Sequence, residues 1–190
     1  MPRPRSFDET KVLQCAMLTF WRLGYDATTY KELEKITGVG VRSMHNTFGE
    51  KDELFLRSLR MYQEAARAII EEMFNPPSVA AVERLFGSIV DPKPDDDITR
   101  SGCLVVNSVF ELSEIPSAVD EQIKAYREMW RATFEAALVA DGISDQKIRA
   151  EFLVGTLWGM LSQIRLARDT TAAAPMALIA IQTIRSWSTG

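Results

Sequence analysis

From Lys51 to Phe74 the chain holds one helical pattern, with Leu54, Leu56, Leu59, Tyr62, Ala66 and Ile69 recurring at helical spacing. Such a stripe commits the middle of the chain to a long helix and requires neighbours that bury one side of it. Asn75-Pro76-Pro77 ends the pattern, and Ser78 is placed to cap a following helix that reaches about Val90. Upstream, Phe7 to Leu23 carries Leu13, Ala16, Leu18 and Phe20 at three- and four-residue spacings and opens on Ser6-Phe7-Asp8-Glu9, a capping-box pattern. Gly24 stops that helix. Thr29-Tyr30-Lys31-Glu32 opens a short one with Tyr30, Leu33 and Ile36 on one side, Thr37-Gly38 closes it, and Val41 to Phe48 gives two further turns. Downstream, Asp91 to Asp97 reads as an acidic, proline-bearing loop, and Cys103 to Leu112 as a short buried apolar segment. Pro116-Ser117 starts a helix to about Ala140 with Ile123, Tyr126, Trp130, Phe134 and Leu138 near a 3.6 period. Apolar helices follow over Asp145 to Arg168 and Pro175 to Trp187. No strand pair or repeat interrupts the series, which predicts an all-α fold of about nine helices.

The 190 residues suffice for one sizeable core, or for a small domain joined to a larger one. The net charge of −4 looks wrong for nucleic acid until it is divided. Residues 1–60 carry ten Lys/Arg against eight Asp/Glu, or +2, and residues 61–190 carry twelve against eighteen, or −6. A mildly basic end on an acidic body suits a DNA contact confined to that end. The opening Met-Pro-Arg-Pro-Arg-Ser shows no apolar signal-peptide core, and no apolar run approaches the ~20 residues that span a bilayer. The expected location is cytoplasmic, with no membrane partner. Cys15 and Cys103 offer no metal framework, and a reducing compartment argues against their pairing.

The stretch "GVGVRSMHNTFGEK", Gly38 to Lys51, admits three readings. A dinucleotide cradle needs glycine where Ser43 stands and a buried strand where a helix precedes it. A catalytic role falls on His45, the only imidazole, yet its neighbours Asn46 and Thr47 suggest no apolar pocket. With no metal cluster, histidine pair or diagnostic carboxylate pair, the chain is not expected to be an enzyme or to carry a cofactor. The third reading is a helix-turn-helix whose second helix enters the major groove. Leu33, Ile36, Val39, Met44 and Phe48 are then the packing side, Arg42, Ser43, His45, Asn46 and Thr47 the exposed polar set, and Gly40 leaves the helix N-terminus open to phosphate. On pattern alone, an ordinary three-helix packing unit competes evenly with that reading.

Residues 7–60 resemble the N-terminal DNA-binding domain of the TetR family of bacterial transcriptional repressors. The match runs through Ala16, Phe20-Trp21-Arg22-Leu23-Gly24-Tyr25-Asp26-Ala27-Thr28-Thr29, Leu33, Thr37-Gly38-Val39 and Phe48-Gly49-Glu50-Lys51-Asp52-Glu53-Leu54. The resemblance implies an HTH domain over residues 1–50, with a basic arm at 1–6 carrying Arg3 and Arg5. An effector-binding and dimerisation domain would occupy residues 51–190. It makes Val41, Arg42, His45 and Asn46 the groove-facing positions on double-stranded operator DNA, and Thr29, Ser43, Thr47 and Lys51 the phosphate contacts. Arg42 ranks first for base reading because a guanidinium bonds two guanine acceptors at once. Three positions depart from the family pattern: His45 stands where tyrosine is usual, Thr47 where an aromatic or histidine is frequent, and Glu34 where a small or apolar residue is frequent.

In the larger domain, Gly102-Cys103-Leu104-Val105-Val106-Asn107 with Glu111-Leu112 resembles a segment recurring in one branch of the family, some of whose members sense electrophiles or oxidants through a cysteine there. Cys103 is either a small packed residue or, with Arg100 and a helix N-terminus lowering its pKa, a thiol sensor. Phe110, Tyr126, Trp130, Phe134 and Trp158 belong either to the core or to a pocket for a small-molecule effector. Gly155, Gly159 and Ser162, with Ile181, Ile184 and Trp187, form either a homodimer interface or the monomer's own core. The alternative to the whole reading is an all-α ligand-binding or enzymatic protein without DNA affinity.

Overall fold

Caps and glycines set the helix ends in the computed structural model, which describes residues 7–91, 98–112, 114 and 116–187. Arg3, Arg5, Ser6 and most of the acidic loop lie outside those residues. Helix α1 (Glu9–Leu23) starts two residues later than the Ser6 pattern predicts, because Asp8 is the N-cap and accepts from Lys11 N at 3.1 Å. Thr29 caps α2 (Tyr30–Thr37) as expected, accepting from Glu32 N at 3.1 Å. Gly38 ends α2 in the left-handed region at φ 70°, where a Cβ would be strained. Then come α3 (Val41–Phe48) and the long α4 (Lys51–Met73), whose first turn closes a capping box between Glu50 and Glu53. Ser78 caps α5 (Val79–Val90). Helices α6 (Leu104–Glu111), α7 (Ser117–Ala140), α8 (Gln146–Ala167) and α9 (Ala174–Trp187) complete the chain. Two 3-10 turns, Thr99–Ser101 and Thr170–Ala173, precede α6 and α9. Nine α-helices and no strand appear among the described residues, matching the expected class.

The buried stripes differ in detail from the predicted ones. On α1 the inward face is Val12, Ala16, Thr19 and Phe20, with Leu13 at its margin. On α4 it is Leu54, Phe55, Ser58, Leu59, Gln63 and Ala66, whereas Ile69 is exposed. Polar residues enter that stripe because they find partners. Ser58 Oγ donates to Leu54 O at 2.9 Å, and Gln63 Nε2 donates to Gln122 O on α7 at 2.7 Å. The α7 stripe is buried as read, from Ile123 to Leu138. Besides Ile69, two further predicted apolar contacts face solvent: Ile36 at the end of α2 and Phe110 on α6, the latter 74% exposed.

Two cores result. The first half of α4 packs on α1, with Phe20 and Phe55 rings edge-to-face at 4.9 Å. Its second half packs on α7, which in turn packs along α8, while α5 lies against α7 and α9. Thus α4 links α1 at one end to α7 at the other. No helix of the described residues is long and apolar enough to cross a membrane.

Candidate nucleic-acid interface

Helix α3 is anchored from below by Met44 and Phe48, both essentially without solvent exposure. Its turn to α2 is fixed by Thr37, whose hydroxyl donates to Leu33 O at 2.7 Å and accepts from Val39 N at 3.2 Å. At the far end, Arg57 Nη1 donates to Thr47 O at 3.3 Å, placing a cation at the negative end of the helix dipole. With one side buried, helical geometry leaves Arg42 and Asn46 one turn apart in solvent, beside Ser43 and Thr47. Val41, His45 and Thr47 are half-buried at the edges of this face.

Two of the predicted contact residues have partners that sequence reading missed. His45 is not simply solvated. Its imidazole lies against the Tyr30 ring, centroids 4.0 Å apart, and Nδ1 is 3.8 Å from Glu50 Oε1. Tyr30 in turn donates to Gly49 O at 2.8 Å, and burial, aided by the Glu50 charge, pushes its phenol up to about 12, so it stays a donor at ordinary pH. Lys51 Nζ sits 4.2 Å over the Tyr25 ring and 3.3 Å from Asp26 O. Burial pulls its pKa down while Asp26 and Asp52 pull it back. Asp52 is itself held by the Tyr25 hydroxyl, so one aromatic ring fixes both charges at the start of α4. Thr29 is exposed, with its hydroxyl hydrogen free of the capping bond it accepts.

The N-terminus of α3 departs most from expectation. Gly40 supplies no side-chain cap, but Glu34 reaches across the turn and its Oε1 accepts from Val41 N at 3.2 Å. The entrance predicted to be open to phosphate therefore carries an exposed carboxylate. No local sequence rule connects positions seven residues apart through a left-handed turn. The available signal was Glu34's departure from the family pattern.

Where α4, α6 and α7 meet, Cys103, Tyr126, Trp130 and Phe134 come together and Phe110 does not. Cys103 Sγ lies 3.7 Å from Tyr126 Oη, and the Tyr62 hydroxyl joins the pair from α4. Trp130 packs on Phe134 at 5.7 Å, and Phe74 and Phe86 close the cluster. Burial pushes the Cys103 thiol up, against the opposing hydrogen bonds of Tyr62, Val106, Tyr126 and Val105, so the expected lowering does not occur. The charge of Arg100 is felt instead by Asp169, whose carboxyl is lowered first by its bonds to Thr171. Trp158 is half-buried, with its Nε1 buried and unpartnered.

The α8–α9 region divides. Ile184 is fully buried in the monomer, and a Cβ on Gly159 would meet Met176 Cε at 2.8 Å, so both already serve the protomer's own packing. Ile181 and Ser162 are half-buried, and Ser162 Oγ donates to Trp158 O at 2.8 Å. Trp187 packs edge-on against Phe152 at 5.9 Å and under Arg149 at 4.8 Å. Gly155 is open, with nothing within 4 Å of the place a Cβ would take. Around it an exposed apolar stripe that the glycine pattern only partly indicated runs along α8 through Ile148, Phe152 and Leu166, with Leu178 and Ile179 on α9. A hollow of about 360 Å³ between Phe152, Thr156, Pro175, Met176, Ile179 and Ala180 interrupts it.

Comparison with known proteins bears on both halves. A family model described as "Tetracyclin repressor-like, C-terminal domain" matches residues 79–178. The HTH-type transcriptional repressor ComR of Escherichia coli (strain K12) is 28% identical over 195 residues, covering 97% of this chain and 91% of ComR. An uncharacterized HTH-type transcriptional regulator of Bacillus subtilis (strain 168), YezE, is 29% identical over 139 residues, covering 72% of this chain and 69% of YezE. Among solved structures, a cysteine mutant of the TetR family transcriptional regulator CifR, complexed with 26bp double-strand operator DNA, has the same fold. Its TM-score is 0.80 at 23% identity, over 97% of this chain and 99% of that one.

Proposed function

The chain belongs to the TetR family of transcriptional regulators, and we propose that it is a homodimeric repressor that reads a near-palindromic operator with α3. One observation carries this reading. Met44 and Phe48 fasten α3 down on one side, leaving Arg42, Ser43 and Asn46 exposed together on the other. Arg42 is the base reader, with Val41, His45 and Asn46 beside it, and Thr29, Ser43, Thr47 and Lys51 bind phosphates. Residues 1–50 form the reader and 51–190 the body, although the first turns of α4 pack with the reader. Two copies join through the exposed stripe of α8 and α9 around Gly155, so the operator has two-fold symmetry. The regulator works in the cytoplasm, and its role is binding rather than catalysis.

Release follows from a small molecule that enters the α4–α7 aromatic cluster at Tyr126, Trp130 and Phe134 and favours a conformation with wrongly spaced heads. The thiol-sensor version is the weaker of the two, since burial disfavours the Cys103 thiolate. If Cys103→Ser abolishes a response to electrophiles, the sensor version replaces the small-molecule version. The test of the central reading is a gel shift on the DNA upstream of the protein's own gene at several salt concentrations. Affinity is expected to fall steeply with salt as phosphate contacts release counterions. Absence of any salt-sensitive, sequence-selective complex contradicts the proposal.

A further inference from the structure

The last carbonyls of a helix have no donors within it, and while Gly24 N meets Phe20 O of α1, two others are met from outside the reader. Arg165, on α8 of the body, directs Nη1 to Trp21 O (3.4 Å) and Arg22 O (3.2 Å), and Nη2 to Glu111 Oε1 on α6 (2.9 Å). Its guanidinium is thus a cation at the negative end of α1, held in place by a carboxylate from a second body helix. The fit is close. A Cβ on Gly24, just past the end of α1, would lie 2.6 Å from Glu111 Oε2. The backbone just before α6 grips the same turn, because Trp21 Nε1 donates to Gly102 O at 3.1 Å. Gly102 is itself wedged against α8, where a Cβ would lie 2.6 Å from Leu161 O and 3.1 Å from Arg165 Cβ. The Trp21 ring also meets Tyr62 of α4 edge-to-face at 4.9 Å.

A reader joined to its body by α4 alone is free to swing about that helix. A second attachment, made through α6 and α8, removes the freedom. We infer that Arg165 is a positioning residue for DNA reading: by tying the C-terminus of α1 to α6 and α8 it fixes the angle of the reader on the body. It thereby sets the distance between the two α3 helices of the dimer. This rests on the two-headed reading proposed above. A shift of α6 or α8 then reaches the reader through Glu111 and Arg165 without passing along α4.

The measurement is half-site spacing. An operator obtained by selection from random duplexes is compared with versions carrying one base pair more or fewer between the half-sites. The wild type is expected to prefer the selected spacing by about tenfold or more, since one base pair moves and rotates a half-site relative to its head. Arg165→Ala is expected to reduce that preference to about threefold or less. Glu111→Gln, which leaves the guanidinium its carbonyls but weakens its anchor, is expected to fall between and keeps the test open should Arg165→Ala fail to fold. Val154→Ala, a core truncation in the same helix, lowers stability without touching the clamp and is expected to keep the wild-type preference. The inference is overturned if Arg165→Ala or Glu111→Gln discriminates spacing as the wild type does, or if Val154→Ala loses discrimination equally. A wild type indifferent to spacing overturns the two-headed reading and this inference with it.

Discussion

Replacing Glu34 by glutamine and by alanine separates two effects that the structure places on one carboxylate. Glu34 Oε1 accepts from Val41 N at 3.2 Å, supplying the side-chain cap that Gly40 lacks. Loss of an N-cap acceptor costs about 0.5–2 kcal/mol, and the exposure of Glu34 argues for the lower half of that range. Its charge also sits at the N-terminus of the helix assigned to the groove. A unit charge some 7 Å from a phosphate is repelled by roughly 0.6 kcal/mol at the dielectric of water, and by more where solvent is displaced. Glutamine keeps an acceptor and removes the charge, so Glu34→Gln is expected to melt within a degree or so of wild type. It is expected to bind duplex DNA about two- to fivefold more tightly at low salt. Glu34→Ala is expected to bind more tightly as well, with the reader destabilised by about 0.5–1 kcal/mol. The gain belongs to phosphate repulsion, so it appears on selected and random duplexes alike and shrinks between 50 and 200 mM salt. Fluorescence anisotropy titrations on both duplexes, beside thermal melts, measure each part. Weaker binding by Glu34→Gln, or a gain that persists at high salt, refutes the reasoning.

Truncating the anchor under α3, Met44→Ala, removes a side chain with no solvent exposure and is expected to cost about 2–5 kcal/mol by urea unfolding, with DNA binding falling in step; a loss under 1 kcal/mol contradicts the packing described. Phe152→Glu places a charge in the exposed α8 stripe and is expected to convert a dimer to a monomer in sedimentation at micromolar concentration, while an unchanged sedimentation coefficient removes that face from the interface. Burial raises the pKa of Cys103, Tyr62 and Tyr126 alike. Their neutral forms are favoured by folding, so this stability is fully present below the unfolded values, roughly 8.5 for cysteine and 10 for tyrosine, and is lost as pH rises beyond them. Urea midpoints at pH 7, 9 and 10.5 are expected to fall in that order, and a flat series contradicts the burial of this cluster.

The architecture was legible because each helix boundary is a local matter. Ser78, Thr29, Gly24 and Gly38 act within a turn of themselves, and the α7 stripe from Ile123 to Leu138 follows one period along one axis. Phe110 shows where such reading ends, since an apolar residue in an apolar segment proved exposed once α6 was set against α8. Ile184 shows the converse. Its segment suited an interface, but its side chain turns into the protomer's own core. At the candidate site, the exposed set on α3 follows from the buried positions of Met44 and Phe48 and was readable. The Glu34 cap, the His45–Tyr30 contact and the Arg165 clamp were not, because each joins residues that only the folded chain brings together.

The central claim, that α3 reads operator DNA through Arg42, is tested most directly by comparing wild type and Arg42→Ala on a selected operator and on each single-base-pair variant of it. Arg42 is exposed and lies one turn from Asn46, so its loss leaves the fold intact while deleting a two-point contact to guanine. The account predicts a loss of about 1–3 kcal/mol on the selected operator, with discrimination relaxed at one base pair in each half-site and kept elsewhere. Equal affinity and unchanged discrimination by Arg42→Ala contradict it.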